Sequence, residues 1–202
     1  WGHVFWFFWG GLGVPLVVVM VVVTASTLRR WRSGEPWPPL ATSLGYSLPL
    51  LGVGGLIALL GLGSDVRVTA HYHASVGAVT MMFMGLSYWL LPRLGLQLVW
   101  PRLARLQPHV YGSGLFFLVG GLFWAGSAGT ARKIFEAISS DPSLVPAAAI
   151  FGIGALATVA GGVMFVTGVG RSLLGAPGPV ARPVPATGTV RLAPAASSAP
   201  RN

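Results

Sequence analysis

The chain has 202 residues, of which 53% are hydrophobic and only 8% charged, and its mean hydropathy is +0.73. Soluble domains carry charge on about a quarter of their residues, so this composition excludes a soluble enzyme: there is too little polar surface to face water. A net charge of +9 would suit nucleic acid, yet the basic residues form neither a continuous run nor a helical stripe; they sit at the ends of apolar segments, and the partner they imply is lipid, not nucleic acid.

Five stretches reach the roughly 20 apolar residues needed to cross a bilayer core of about 30 Å. They run from about Val4 to Leu28, Ser43 to Leu62, Val68 to Leu91, Val110 to Ala128, and Leu144 to Thr167 or a little beyond. None alternates in polarity as the strands of a membrane barrel would. The expected fold is therefore all-α, a polytopic transmembrane bundle of five helices over residues 1–175. From about Gly175 the sequence turns to Pro, Ala and Ser without periodicity, which predicts a disordered tail over 176–202. Residue 1 is Trp, already inside an apolar run, with no initiator Met, basic n-region or small-residue cleavage site. That points to a processed chain or a piece of a longer one.

Short basic loops stay cytoplasmic. Arg29, Arg30, Arg32, Arg93, Arg102, Arg105, Arg171, Arg182, Arg191 and Arg201 fall on one side of the five spans, and Arg67, Arg132 and Lys133 on the other. This places the residue-1 end outside and the C-terminus in the cytoplasm of a multi-pass membrane protein. Glycines recur in pairs inside the spans, Gly10-Gly11, Gly54-Gly55, Gly120-Gly121 and Gly161-Gly162. Such pairs allow close approach of a neighbouring helix or of a flat cofactor.

Polar chemistry has few carriers. Cysteine is absent, which excludes disulfides, thiolate zinc sites and iron–sulfur clusters, and only four His and four acids remain. His3, at the outer end of the first span, and His109, placed in the loop before the fourth, read as solvated or capping residues. His71 and His73 differ, because they open the third span, where an ionisable side chain at membrane depth marks function. Residues i and i+2 of a helix point about 200° apart. The two imidazoles cannot chelate one ion, as an i, i+4 pair can, but each can ligate its own metal on its own side of the helix. Imidazole is the common axial ligand of haem iron, and two haems so held would lie either side of one helix with Tyr72 between their ligands.

The segment Ala70-His71-Tyr72-His73, closing in Tyr88-Trp89-Leu90-Leu91-Pro92, resembles the tenth helix of subunit I of the haem–copper oxidase superfamily, in particular of B-type-like cytochrome c oxidases. Downstream, Trp124-Ala125-Gly126 followed by Ala131-Arg132-Lys133 is similar to the WAG…PRR-like segment after the eleventh helix, with Lys in place of the second Arg. Val14-Pro15 resembles a kink in the eighth. The five spans would then be helices eight to twelve, and the first seven are missing.

The resemblance implies that His71 ligates a high-spin haem iron and His73 a low-spin haem iron, and that Arg132 and Lys133 bind haem propionates. Asp65 falls where the family has polar residues near the propionates and a proton or water exit. Thr80, Ser87 and Tyr88 would be candidates for a proton path. The copper ion of the binuclear centre would take its ligands from outside this chain. The implied function is that of the C-terminal part of the catalytic subunit of a respiratory terminal oxidase in a prokaryotic plasma membrane, active as an oxidoreductase only within a larger complex. That complex would reduce O₂ to water and translocate protons. Its expected partners are the N-terminal half of subunit I, oxidase subunit II, and cytochrome c, a small copper protein or quinol as electron donor. Two other readings stand beside it. One is the large subunit of a nitric oxide reductase, which shares the H-x-H helix but has a Glu before Pro in the eighth helix, where this chain reads Gly11-Leu12-Gly13-Val14-Pro15. The other is a haem-free membrane assembly or transport protein that binds a transition metal transiently.

Overall fold

A computed structural model describes residues 2–34, 38–60, 65–131 and 141–175. The described chain is helical: α1 (Gly2–Arg32), α2 (Pro39–Leu59), α3 (Arg67–Leu90), α4 (Pro101–Ser127) and α5 (Val145–Leu173). Single 3₁₀ turns follow α3 at Leu91–Leu94 and precede α5 at Pro142–Leu144. All five long helices are long and apolar enough to cross a membrane, and the chain is a multi-pass membrane protein. The tail expected over 176–202 lies outside the described residues.

Proline starts several helices. Pro39 and Pro101 are the first residues of α2 and α4, and Pro146 is the second of α5. At these positions the missing N–H costs nothing and the fixed φ is already helical. The fourth span is where the structure departs most from expectation: α4 begins at Pro101, not near Val110, and takes in Arg102, Arg105, Gln107, Pro108 and His109. His109 is thus a helix residue and not a loop residue. Its turn was hidden because a polar, Pro-containing stretch lowers apparent hydropathy. Pro15 likewise lies within α1, which continues through it.

Small residues hold the bundle together. On α5, Ala147, Gly154, Gly161 and Gly168 recur every seven residues and are buried, and the heptad period of a left-handed crossing keeps one seam facing its neighbour. Each meets α4. A Cβ on Gly154 would strike the backbone of Leu118, one on Gly121 would lie 2.6 Å from the Phe151 amide nitrogen, and one on Gly161 would lie 2.7 Å from Cα of Tyr111. Of the pairs Gly54-Gly55, Gly120-Gly121 and Gly161-Gly162, one member is pressed against a neighbouring helix and the other faces open space. Helix packing accounts for the pressed members. Beside this seam, apolar clusters run the length of the bundle, from Ile57, Ala74 and Leu122 at one end through Leu50, Met81 and Leu115 to Tyr88, Leu91 and Ala104 at the other.

Candidate functional site

The site is built at the N-terminal end of α3. Asp65 precedes the helix, and its Oδ1 accepts the backbone N–H of Arg67 at 2.8 Å, satisfying one of the donors that every helix start leaves free. The same carboxylate receives the Arg67 guanidinium through Nε and Nη2 at 2.8–3.1 Å, a fork-on-carboxylate geometry. The Arg67 side-chain hydrogen bonds hold the Asp65 carboxyl below the usual carboxylate range, against a smaller opposing effect of burial.

The end of α4 is fastened to this point. After Ala128 the chain turns through Gly129 at φ 86°, and the Thr130 amide donates back to the Ala125 carbonyl at 3.1 Å. This is a helix end closed by a left-handed glycine. Val66 N–H then donates to the Thr130 carbonyl at 3.0 Å, and Asp65 pairs with Ala131 in an isolated antiparallel bridge. Gly126 lets this happen, for a Cβ there would lie 2.6 Å from the Arg67 side chain. Arg132 and Lys133, the expected propionate ligands, lie outside the described residues. The residue before them, Ala131, is paired to Asp65 at the histidine end of α3.

His71 and His73 stand one and two turns into the helix with different surroundings. His71 is half-buried, and its Nδ1 lies 2.8 Å from the carbonyl oxygen of Gly54 on α2. His73 is exposed, with Nδ1 2.9 Å from the carbonyl of Thr69 in its own helix. A carbonyl can only accept, so in both rings Nδ1 carries a proton, and in the neutral ring Nε2 is the nitrogen with the free lone pair. That neutral tautomer is the one a metal needs, and the bond to the carbonyl also orients the ring. His73 lines a groove of about 300 Å³ with Tyr72, Val76 and Thr80 of α3, Tyr111 and Leu115 of α4 and Thr158 of α5. The two histidines therefore serve different sides of α3, as i, i+2 spacing requires. Between them the exposed face of α3 carries Tyr72, Val76, Val79, Phe83 and Leu86.

Among the described residues no three of His, Asp and Glu come together as a metal-binding group. Thr80 and Ser87 donate their hydroxyls to carbonyls of their own helix, at 2.9 and 2.8 Å, while Tyr88 is buried against Phe165. His3 is exposed at the start of α1. Two polar features escaped sequence reasoning. Gln107 is fully buried, with Nε2 donating to the Gly161 carbonyl at 3.2 Å, and Tyr46 Oη lies 3.2 Å from His109 Nδ1. Neither has a sequence signal, because the Gly161 carbonyl and the His109 ring are 54 and 63 residues from their partners.

Two curated proteins resemble the chain. Cytochrome c oxidase subunit 1 of Thermus thermophilus is 31% identical over 147 residues, covering 61% of this chain and 24% of that protein. A Rickettsia prowazekii protein described only as uncharacterised is 30% identical over 154 residues, covering 66% of this chain and 28% of its own length. The chain thus spans about a quarter of the length of the curated relatives it matches. No family model and no solved structure matches it. The similarity to that cytochrome c oxidase subunit 1 is distant and partial, and it falls on a chain that independently folds as a bundle of membrane helices.

Proposed function

We propose that this chain is the part of a terminal oxidase subunit I that supplies one axial imidazole to each of two haems, in a complex that reduces O₂ to water and moves protons. The observation that carries the reading is the pair of Nδ1–H···O=C bonds. Two histidines two residues apart each have Nδ1 tied to a backbone carbonyl, which directs Nε2 outward on different sides of one membrane helix. A lone imidazole holds a bare ion weakly, and neither ring belongs to a group of three His, Asp or Glu among the described residues. Iron that arrives with four macrocycle nitrogens needs only one or two more ligands, and single imidazoles are what it takes. The similarity to a cytochrome c oxidase subunit 1 supports the same reading.

In this proposal His71 Nε2 holds the high-spin haem and the Gly54 carbonyl fixes its ring. His73 Nε2 holds the low-spin haem. Haem supplies a redox iron and, at the high-spin site, a coordination position open to O₂. Arg132 and Lys133 would neutralise propionate charge, and the Asp65–Arg67 pair would hold the loop junction from which they extend. The copper ligands, the other low-spin haem ligand, subunit II and the electron donor would come from outside this chain. The residue-1 end would face outward from a prokaryotic plasma membrane.

The test is spectroscopic, on the assembled complex. His73→Ala should remove the low-spin haem spectrum and leave the high-spin one, and His71→Ala should do the reverse. A bis-histidine signal that survives His73→Ala sinks the assignment. Metal analysis separates the enzyme classes: copper present alongside haem iron supports an oxidase, whereas additional non-haem iron without copper supports a nitric oxide reductase.

A further inference from the structure

At the end of the bundle opposite His71 and His73, α2 and α4 part to form a groove of about 450 Å³ lined by Thr42, Gly45, Tyr46, Arg105, His109 and Phe116. The groove is polar at one end and apolar at the other. Arg105 and His109 lie one turn apart on α4 and are both exposed. The Tyr46 ring occupies the space that a side chain at Gly112 would fill, and Tyr46 Oη meets His109 Nδ1 at 3.2 Å. From there the groove continues to Phe116, whose ring centroid is 6.3 Å from that of Tyr46. The two acids among the described residues, Asp65 and Asp141, are both at the other end of the bundle. The charge here is therefore uniformly positive among described side chains, with Arg93 and Arg102 nearby in sequence.

Depth identifies what such a groove meets. Trp89 and Trp100 are exposed at this end, each with an arginine guanidinium against its ring, Arg93 at 3.4 Å and Arg171 at 5.6 Å. Tryptophan marks the membrane–water boundary. Arg105 is five residues further along α4 than Trp100, roughly 7 Å inward at 1.5 Å rise per residue, a distance over which a long arginine side chain reaches back to headgroup level. We propose that this groove seats an anionic phospholipid, its phosphodiester on Arg105 and His109 and an acyl chain along Phe116. Arginine offers a forked pair of donors to phosphate oxygens, and basic pockets between membrane helices suit anionic headgroups. A free phosphate would satisfy the same donors but would leave the Phe116 end of the groove unused.

The full chain, purified in a non-ionic detergent, can be titrated with phosphatidylglycerol or phosphatidylcholine and read by native mass spectrometry. One phosphatidylglycerol should be retained in preference to phosphatidylcholine, and millimolar inorganic phosphate should not displace it. Arg105→Gln should weaken retention roughly fivefold, the worth of one basic residue near a lipid surface. Tyr46→Phe should weaken it less. Arg93→Gln removes the same charge at the same end, from a side chain already engaged with Trp89, and should leave retention unchanged. Equal retention of both lipids, or equal weakening by Arg93→Gln and Arg105→Gln, overturns the proposal. Displacement by phosphate would make the site one for free oxyanions and would overturn it as well. Arg105 is exposed, and a melting curve matching the parent's confirms that its variant is folded.

Discussion

Helices α1 and α4 are similarly apolar and both long enough to span a bilayer, yet they live differently. More than half of the spanning window of α4 is buried among its neighbours, and none of the α1 window 13–30 is. The difference lies in shape, because lipid tails are as apolar as leucine and give helices no hydrophobic reason to associate. What draws membrane helices together is close fit. α4 offers Gly114 and Gly121 to α5, with Thr158 and Phe151 backbone atoms 2.6 Å from where a Cβ would stand. α1 offers a ridge of valines, Val14, Val17, Val18, Val21 and Val22, each more than half exposed. Its Gly11 and Gly13 touch nothing. Between α1 and α2 lies an apolar cavity of about 740 Å³, walled by Met20, Thr24, Leu48 and Pro49.

If fit is the cause, the largest effect should come from spoiling it. Gly154→Leu drives a branched side chain into the backbone of Leu118 and the carbonyl of Gly114. Neither can rotate away, so the cost should exceed the ~1–3 kcal/mol typical of overpacking. Gly152→Leu, on the same helix with nothing within 4 Å, is the control. Thermal unfolding in detergent should show the first variant strongly destabilised and the second close to the parent. Equal melting would mean that the α4–α5 seam does not hold the bundle.

The sequence already contained much of this contrast. Five apolar runs gave five helices, and the His71–His73 spacing gave two sides of α3, because both depend only on local periodicity. The seven-residue recurrence of Ala147, Gly154, Gly161 and Gly168 is also local and could have been read as a seam. The start of α4 was illegible because Arg102, Arg105, Gln107 and His109 break the hydropathy that betrays a span. Those side chains find partners or headgroup depth only in three dimensions. Tertiary pairings stood further out of reach. Nothing near His71 in sequence names Gly54 as the acceptor for its ring, and the fastening of Asp65 to Ala131 joins residues separated by the whole of α3 and α4.

That fastening supports an intermediate effect. Asp65→Asn keeps an acceptor for the Arg67 amide but loses the ion pair, so the junction should loosen without the helices separating. Amide exchange at Val66 and Thr130 should quicken while exchange within α3 stays slow. The folded-state pKa of Asp65 lies below its ordinary 3.8 because of Arg67. Its stabilisation is therefore complete above that value and is lost as pH falls through the lower, folded value. The difference between parent and variant should persist at neutral pH and vanish only in strong acid. A difference that disappears already near neutrality would point to some other group.

The smallest effect should lie on α1. Val18 and Val21 are 56% and 62% exposed, and shortening both to Ala removes methyl groups that are mostly uncovered by protein. The expected change in melting is within about 0.5 kcal/mol, the range of surface substitutions. A buried valine pair would cost several times more, because cavity formation adds to the lost transfer energy. The same two changes made in an assembled complex sharpen the comparison. If α1 is the eighth helix of a larger subunit, its valine ridge is a surface against which further helices of that subunit would pack. There Val18→Ala with Val21→Ala should destabilise assembly while leaving the isolated chain unaffected. Indifference in both settings would make α1 a lipid-facing helix outright, and would count against further helices packing on that side.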